Sequence, residues 1–70
     1  MNDRNDTIAM AIRDSHTQNK MIDIAYTQDL ACALSHECET SVNSGSVLEY
    51  WGTTSDGHGW GIRLDRGMAS

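Results

Sequence analysis

The side chains with the most chemistry to offer in one place are Asp29, Cys32 and His36, spaced Asp-x2-Cys-x3-His. Steps of three and four residues share one face of a helix. A carboxylate, a thiol and an imidazole would then form a surface suited to zinc or copper if His16 or His58 supplied a fourth donor. No CxxC or HExxH pattern accompanies them. A small metal- or redox-responsive protein using Cys32 and His36 is therefore the alternative reading, and the primary expectation is a chain without metal or cofactor. Cys38 lies six residues past Cys32, about 9 Å of helical rise and about 120° of rotation away, so these two thiols do not close a disulfide.

The Ser15-His16 and Ser35-His36 pairs set a hydroxyl beside a base, yet adjacent helical residues point about 100° apart. Nucleophilic catalysis also needs a general base in reach and an oxyanion donor. The chain has no recognisable oxyanion donor, no phosphate-cradling glycine loop and no carboxylate pair on a shared strand. The expectation is that it is not an enzyme.

Charge is more informative. Of 70 residues, ten are acidic and five are Lys or Arg, a formal charge of −5. Between Met21 and Ile62 stand six carboxylates, Asp23, Asp29, Glu37, Glu39, Glu49 and Asp56, and no Lys or Arg. Such a balance excludes a binder of phosphate backbones, whose affinity comes from Lys and Arg releasing counterions. It suits a surface for a basic protein or ribonucleoprotein. Duplex DNA carries a charge every ~1.7 Å, so one acid per seven residues imitates a few phosphates and not a duplex.

Several elements must position these groups. Thr27 is a candidate N-cap for a helix over about Gln28 to Ser41, with Asp29 favourably placed in the first turn. At helical spacing Leu30, Ala31, Leu34, Cys38 and Val42 fall in one sector of about 120°, a stripe that should face a sheet. Met21 to Tyr26 alternates as a strand does. Residues 7–15 fit a strand or a short helix capped by Asp6, with Ile8, Ala9 and Ile12 inward, and their Ala and Met favour helix. Residues 1–6 read as a frayed charged leader.

All six glycines lie at or after residue 45, and proline is absent. Val47–Thr54 and Trp60–Arg66 read as a hairpin around Asp56-Gly57, a dipeptide favoured in tight turns. With a two- or four-residue loop, Trp51 faces Ile62 or Leu64. One face then carries Val47, Glu49, Trp51, Trp60, Ile62 and Leu64 as core, with Glu49 paired to Arg66 at its rim. The other face carries Tyr50, Gly52, Gly61 and Arg63, a flat notch open to another subunit or a target.

The expected fold is α+β: one small domain, residues 1–70, with an antiparallel sheet of three or four strands on one main helix, ordered α-β-α-β-β or β-β-α-β-β. Seventy residues bury little surface, so oligomerisation, such as a homodimer, is the natural supplement. Two cysteines fall short of a secreted disulfide scaffold. There is no signal-peptide core and no run of about 20 apolar residues, which predicts a cytoplasmic protein that neither enters a membrane nor binds nucleic acid directly.

In size and charge the chain is similar to small phage-encoded inhibitors of bacterial defence, including anti-CRISPR proteins. That likeness implies a non-enzymatic protein-binding module blocking a basic surface of a larger partner. Asp23, Asp29, Glu37 and Glu39 would steer the encounter, and Tyr50, Trp51, Trp60 and Arg63 would supply the contact. A homo-oligomeric structural component is a further alternative.

Overall fold

The computed structural model describes residues 3–68. Helix α1, Asp3–Gln18, puts Ile8, Ala11 and Ser15 on its buried face with Ile12 beside them, the i, i+3, i+4, i+7 spacing of an amphipathic helix. It ends in a Schellman motif. Asn19 takes the left-handed conformation (φ +53°), its amide donates to His16 O, and the Lys20 amide donates to Ser15 O. Strand β1, Ile22–Ala25, follows, then helix α2, Gln28–Glu37. Thr27 Oγ1 accepts from the Leu30 amide at 3.1 Å, the expected N-cap.

Strands β2 (Thr40–Ser44), β3 (Val47–Thr53) and β4 (Gly59–Asp65) complete a four-stranded sheet in the order β1-β4-β3-β2, and a short 3-10 helix covers Arg66–Met68. β4 pairs antiparallel with β3 and β3 with β2, whereas β1 pairs parallel with β4. The sheet is therefore mixed rather than antiparallel. β1 and β2 run the same way at opposite edges, and α2 carries the chain between them across a β3–β4 hairpin inserted in the middle.

With the antiparallel sheet, four expectations are corrected. Residues 7–15 belong to a helix starting at Asp3, so residues 3–6 are helical rather than frayed, while residues 1 and 2 lie outside the described residues. The main helix stops at Glu37 rather than Ser41, because Cys38 turns to extended backbone (φ −79°, ψ 159°) and the Thr-Ser-Val run pairs with β3. Thr and Val are mediocre helix formers that pack well on a pleated surface. Gly45 (φ +75°) and Ser46 make the two-residue turn that starts β3, with glycine first as a type II′ turn requires.

The hairpin register is the fourth correction. Thr53 pairs with Gly59, so the loop is residues 54–58, an odd five. Even loops of two or four give one assignment of faces, and an odd loop moves every β3 side chain to the other face. Leu48 and Tyr50 consequently join Trp60, Ile62 and Leu64 beneath the helices, where Leu34, Ile62 and Leu64 are fully buried. Glu49 and Trp51 go to the opposite face. Gly52 opposes Trp60 and Gly61 opposes Trp51, so each tryptophan covers the glycine of its partner strand, one on each side of the sheet. No glycine notch remains. Glu49 pairs with Arg63 rather than Arg66, whose guanidinium lies 4.3 Å over the Tyr26 ring and donates to Gly45 O.

One buried polar side chain ties α1 to the sheet. Ser15, 3% exposed, donates to Lys20 O and accepts from the Gly61 amide, both at 2.8 Å. That amide lies on β4 just before β1 begins, so the hydroxyl completes the hydrogen bonding where the edge strand is missing. Ser15→Ala is expected to cost about 1–3 kcal/mol by orphaning the amide, read as a lower urea midpoint with unchanged slope.

A Cβ at Gly52 would sit 2.5 Å from Trp60 Cζ2 in the core, whereas at Gly61 it would meet the flexible Met21 Sδ at 3.0 Å and Trp51 Cδ1 at 3.2 Å on the open face. Gly52→Ala should therefore destabilise by about 2 kcal/mol or more and Gly61→Ala by roughly half of that. Equal urea midpoints for the two variants would contradict the assignment of faces.

Candidate functional site

Both helices lie on the face that holds Tyr50, Trp60, Ile62 and Leu64, and among the described residues no layer covers the other face of the sheet. Across that open face run rows of cross-strand neighbours. In one, Asp23 of β1, Arg63 of β4, Glu49 of β3 and Val42 of β2 stand side by side. Arg63 reaches both ways. Its Nε donates to Glu49 Oε2 at 3.1 Å, with Nη2 3.0 Å from the same oxygen, and its Nη1 donates to Asp23 Oδ1 at 3.2 Å. Exposed ion pairs contribute little to stability. The consequence is electrostatic: two of the six mid-chain carboxylates share one cation and have less charge to offer a partner.

The adjacent row is Met21, Gly61, Trp51 and Thr40. It forms the floor of a cleft of about 500 Å³ at the hairpin-tip end of this face. The half-buried Trp51 ring lies against Gly61. Asn19 and Lys20 line the β1 end, Glu39 and Thr40 the β2 end, and Thr53 and Gly59 the tip. The Schellman turn presents Asn19 and Lys20, and the Glu39 amide, donating to Trp51 O at 2.8 Å, fixes the chain at the other end.

Of the residues singled out from sequence, Glu39, Trp51 and the largely buried Trp60 line this cleft, and Asp23 meets Arg63 beside it. Asp29 and Glu37 are exposed on α2, about 12 Å of helical rise apart. Tyr50 and Trp60, 3% and 5% exposed, sit in the core and have almost no surface for a partner. Sequence reasoning missed Ser15, Asn19, Lys20 and Met21. Asn19 carried a usable signal, since Asn after the last helical turn marks a left-handed stop. A buried serine looks like any surface serine in the sequence.

Cys32, His36 and Asp29 all reach solvent from α2, and among the described residues no three His, Cys, Asp or Glu side chains converge as metal ligands. The imidazoles of His16 and His58 stack on each other, with centroids 4.0 Å apart and planes tilted by 30°. His58 Nδ1 lies 3.1 Å from Asp56 Oδ2, and Thr54 Oγ1 donates to the same carboxylate. The Thr54 hydroxyl first, and His58 second, hold the Asp56 carboxyl below its ordinary range. Scans against protein families, curated proteins and solved structures return no match to this chain.

A carboxyl depressed in the folded state stabilises the loop above its unfolded titration range, and that contribution is lost as pH falls through the folded value. Asp56→Asn should therefore lower the melting temperature slightly at neutral pH, with the difference from wild type vanishing in acid. A difference that persists or grows in acid would remove the hydroxyl–carboxylate bond as its cause.

Proposed function

We propose that the chain is a non-enzymatic, cytoplasmic protein-binding module that occupies a basic, nucleic-acid-binding surface of a larger partner and acts there as an inhibitor. The observation that carries this reading is the meeting of Glu39 and Trp51 in one open cleft, with Glu37 two residues away and Asp29 on the same helix. Among the described residues, none of these three carboxylates has a basic side chain within 4.0 Å, whereas Asp23 and Glu49 share Arg63. Unneutralised charge next to a half-buried tryptophan supplies both halves of an association. Long-range attraction raises the encounter rate, and a large amphipathic ring supplies contact area once the surfaces meet.

The steering set is thus narrower than the six mid-chain carboxylates. It consists of Asp29, Glu37 and Glu39, and Trp51 is the anchor. Arg63, with its two carboxylates, stiffens the face on which that anchor rests.

Capture from host lysate with wild type and with the Asp29→Asn, Glu37→Gln, Glu39→Gln triple variant, at low and high salt, tests the reading. Expected is one partner held by wild type, released by salt, at least tenfold depleted with the variant, and unable to bind its nucleic acid while captured. Undiminished capture by the triple variant, or a captured partner that binds nucleic acid normally, overturns it.

A further inference from the structure

The cleft on the open face has a polarity that selects its occupant. Its floor is an indole, and one wall carries a carboxylate with no cationic partner among the described residues. The opposite wall carries Lys20. Neighbouring strands lie about 4.8 Å apart, so a group resting on Trp51 of β3 is one strand spacing, about 5 Å, from the β2 end with Glu39 and two spacings, about 10 Å, from the β1 end with Lys20. At physiological ionic strength the Debye length is ≈ 8 Å. A cation over Trp51 therefore feels the attraction of Glu39 from within a Debye length and the repulsion of Lys20 from beyond one, about fourfold weaker once distance and screening are combined.

Tryptophan is the best aromatic platform for a cation. Between the two basic side chains the cleft favours arginine. A guanidinium is planar, stacks on an indole face, is weakly hydrated, and has five donors. Glu39 and the hydroxyls of Thr40 and Thr53 are acceptors around the same floor. An ammonium is compact and strongly hydrated, cannot stack, and loses more water on entering. The two ends also limit the occupancy to one cation, because a second basic side chain farther along the cleft would come up against Lys20.

We infer that this cleft is a receptor for a single arginine side chain of the partner, stacked on Trp51 and paired with Glu39. The inference rests on the protein-docking reading and gives it a point of contact.

The test uses the whole chain, labelled with nitrogen-15, and three capped tripeptides, Gly-Arg-Gly, Gly-Lys-Gly and its citrulline counterpart, which keeps the planar shape of arginine without the charge. Expected is a saturable shift of the Trp51 indole N–H and of the Glu39 and Thr40 amides with the arginine peptide. The amides of Leu34 and Leu64, fully buried and outside the cleft lining, serve as the internal reference and should stay still. The lysine and citrulline peptides should bind several-fold more weakly. Glu39→Gln should weaken arginine binding roughly tenfold, and Trp51→Leu, which keeps an apolar cover over Gly61 but has no aromatic face, by a similar factor. Unchanged spectra elsewhere confirm that both variants are folded.

Equal binding of arginine and citrulline peptides, or undiminished binding by Glu39→Gln, overturns the inference. Shifts confined to the amides around Asp29 and Glu37 overturn the cleft as receptor while leaving acidic docking standing. Loss of salt-sensitive capture in the triple variant together with no response to any peptide does the same. Failure of capture itself removes the docking reading, whichever peptide binds.

Discussion

The pairing of Gly52 with Trp60 and of Trp51 with Gly61 is the constraint on which the other features depend. Two tryptophans on neighbouring strands cannot both enter a core as small as this one. The register resolves the conflict by giving each ring a glycine to lie on, one on each face of the sheet. Trp60 then closes the core over Gly52 next to Tyr50 and Ile62, and Trp51 is left on the open face as the platform of the cleft. The parity of a five-residue loop sets that register. A loop one residue shorter or longer would exchange the roles of Trp51 and Tyr50.

A second dependency runs through the edge strand. β1 pairs with β4 from Ile22 onward, opposite Ile62, and leaves the β4 backbone at Gly61 without a strand partner on its β1 side. Ser15 fills that place from the end of α1. The same hydroxyl holds Lys20 O, so the Schellman turn that ends the helix also sets where β1 begins and where Asn19 and Lys20 stand at the cleft. Helix termination, sheet closure and one wall of the candidate site are therefore a single local arrangement.

The charge has a spatial meaning that a count lacks. Asp23 and Glu49 are far apart in sequence, but the sheet order puts them on either side of Arg63. The C-terminal cation thereby neutralises part of the acidic middle. Asp29 and Glu37 on α2 and Glu39 at its exit have no basic side chain within 4.0 Å among the described residues, and of the three only Glu39 lines the cleft.

Local signals in the chain were sufficient for whatever depends on neighbours in sequence. The Thr27 cap, the Leu30 and Leu34 stripe, the strand at Ile22, the α+β class and the hairpin are all there, because capping, amphipathic spacing and alternation act within a few residues. Gly45-Ser46 also marked a turn, hidden by a helix pattern that runs on through Val42. Only tertiary structure decided the rest. Whether a loop closes on an even or odd count depends on Thr54 bonding across to His58, and no residue type announces it. The parallel pairing of β1 with β4 joins segments 40 residues apart, and its favourable energy exists only once both lie on the same helices. The cleft is built from four separate stretches of chain. Its acid and its aromatic were visible as residues, but their meeting follows from the pairing of β2 with β3, which no short-range pattern encodes.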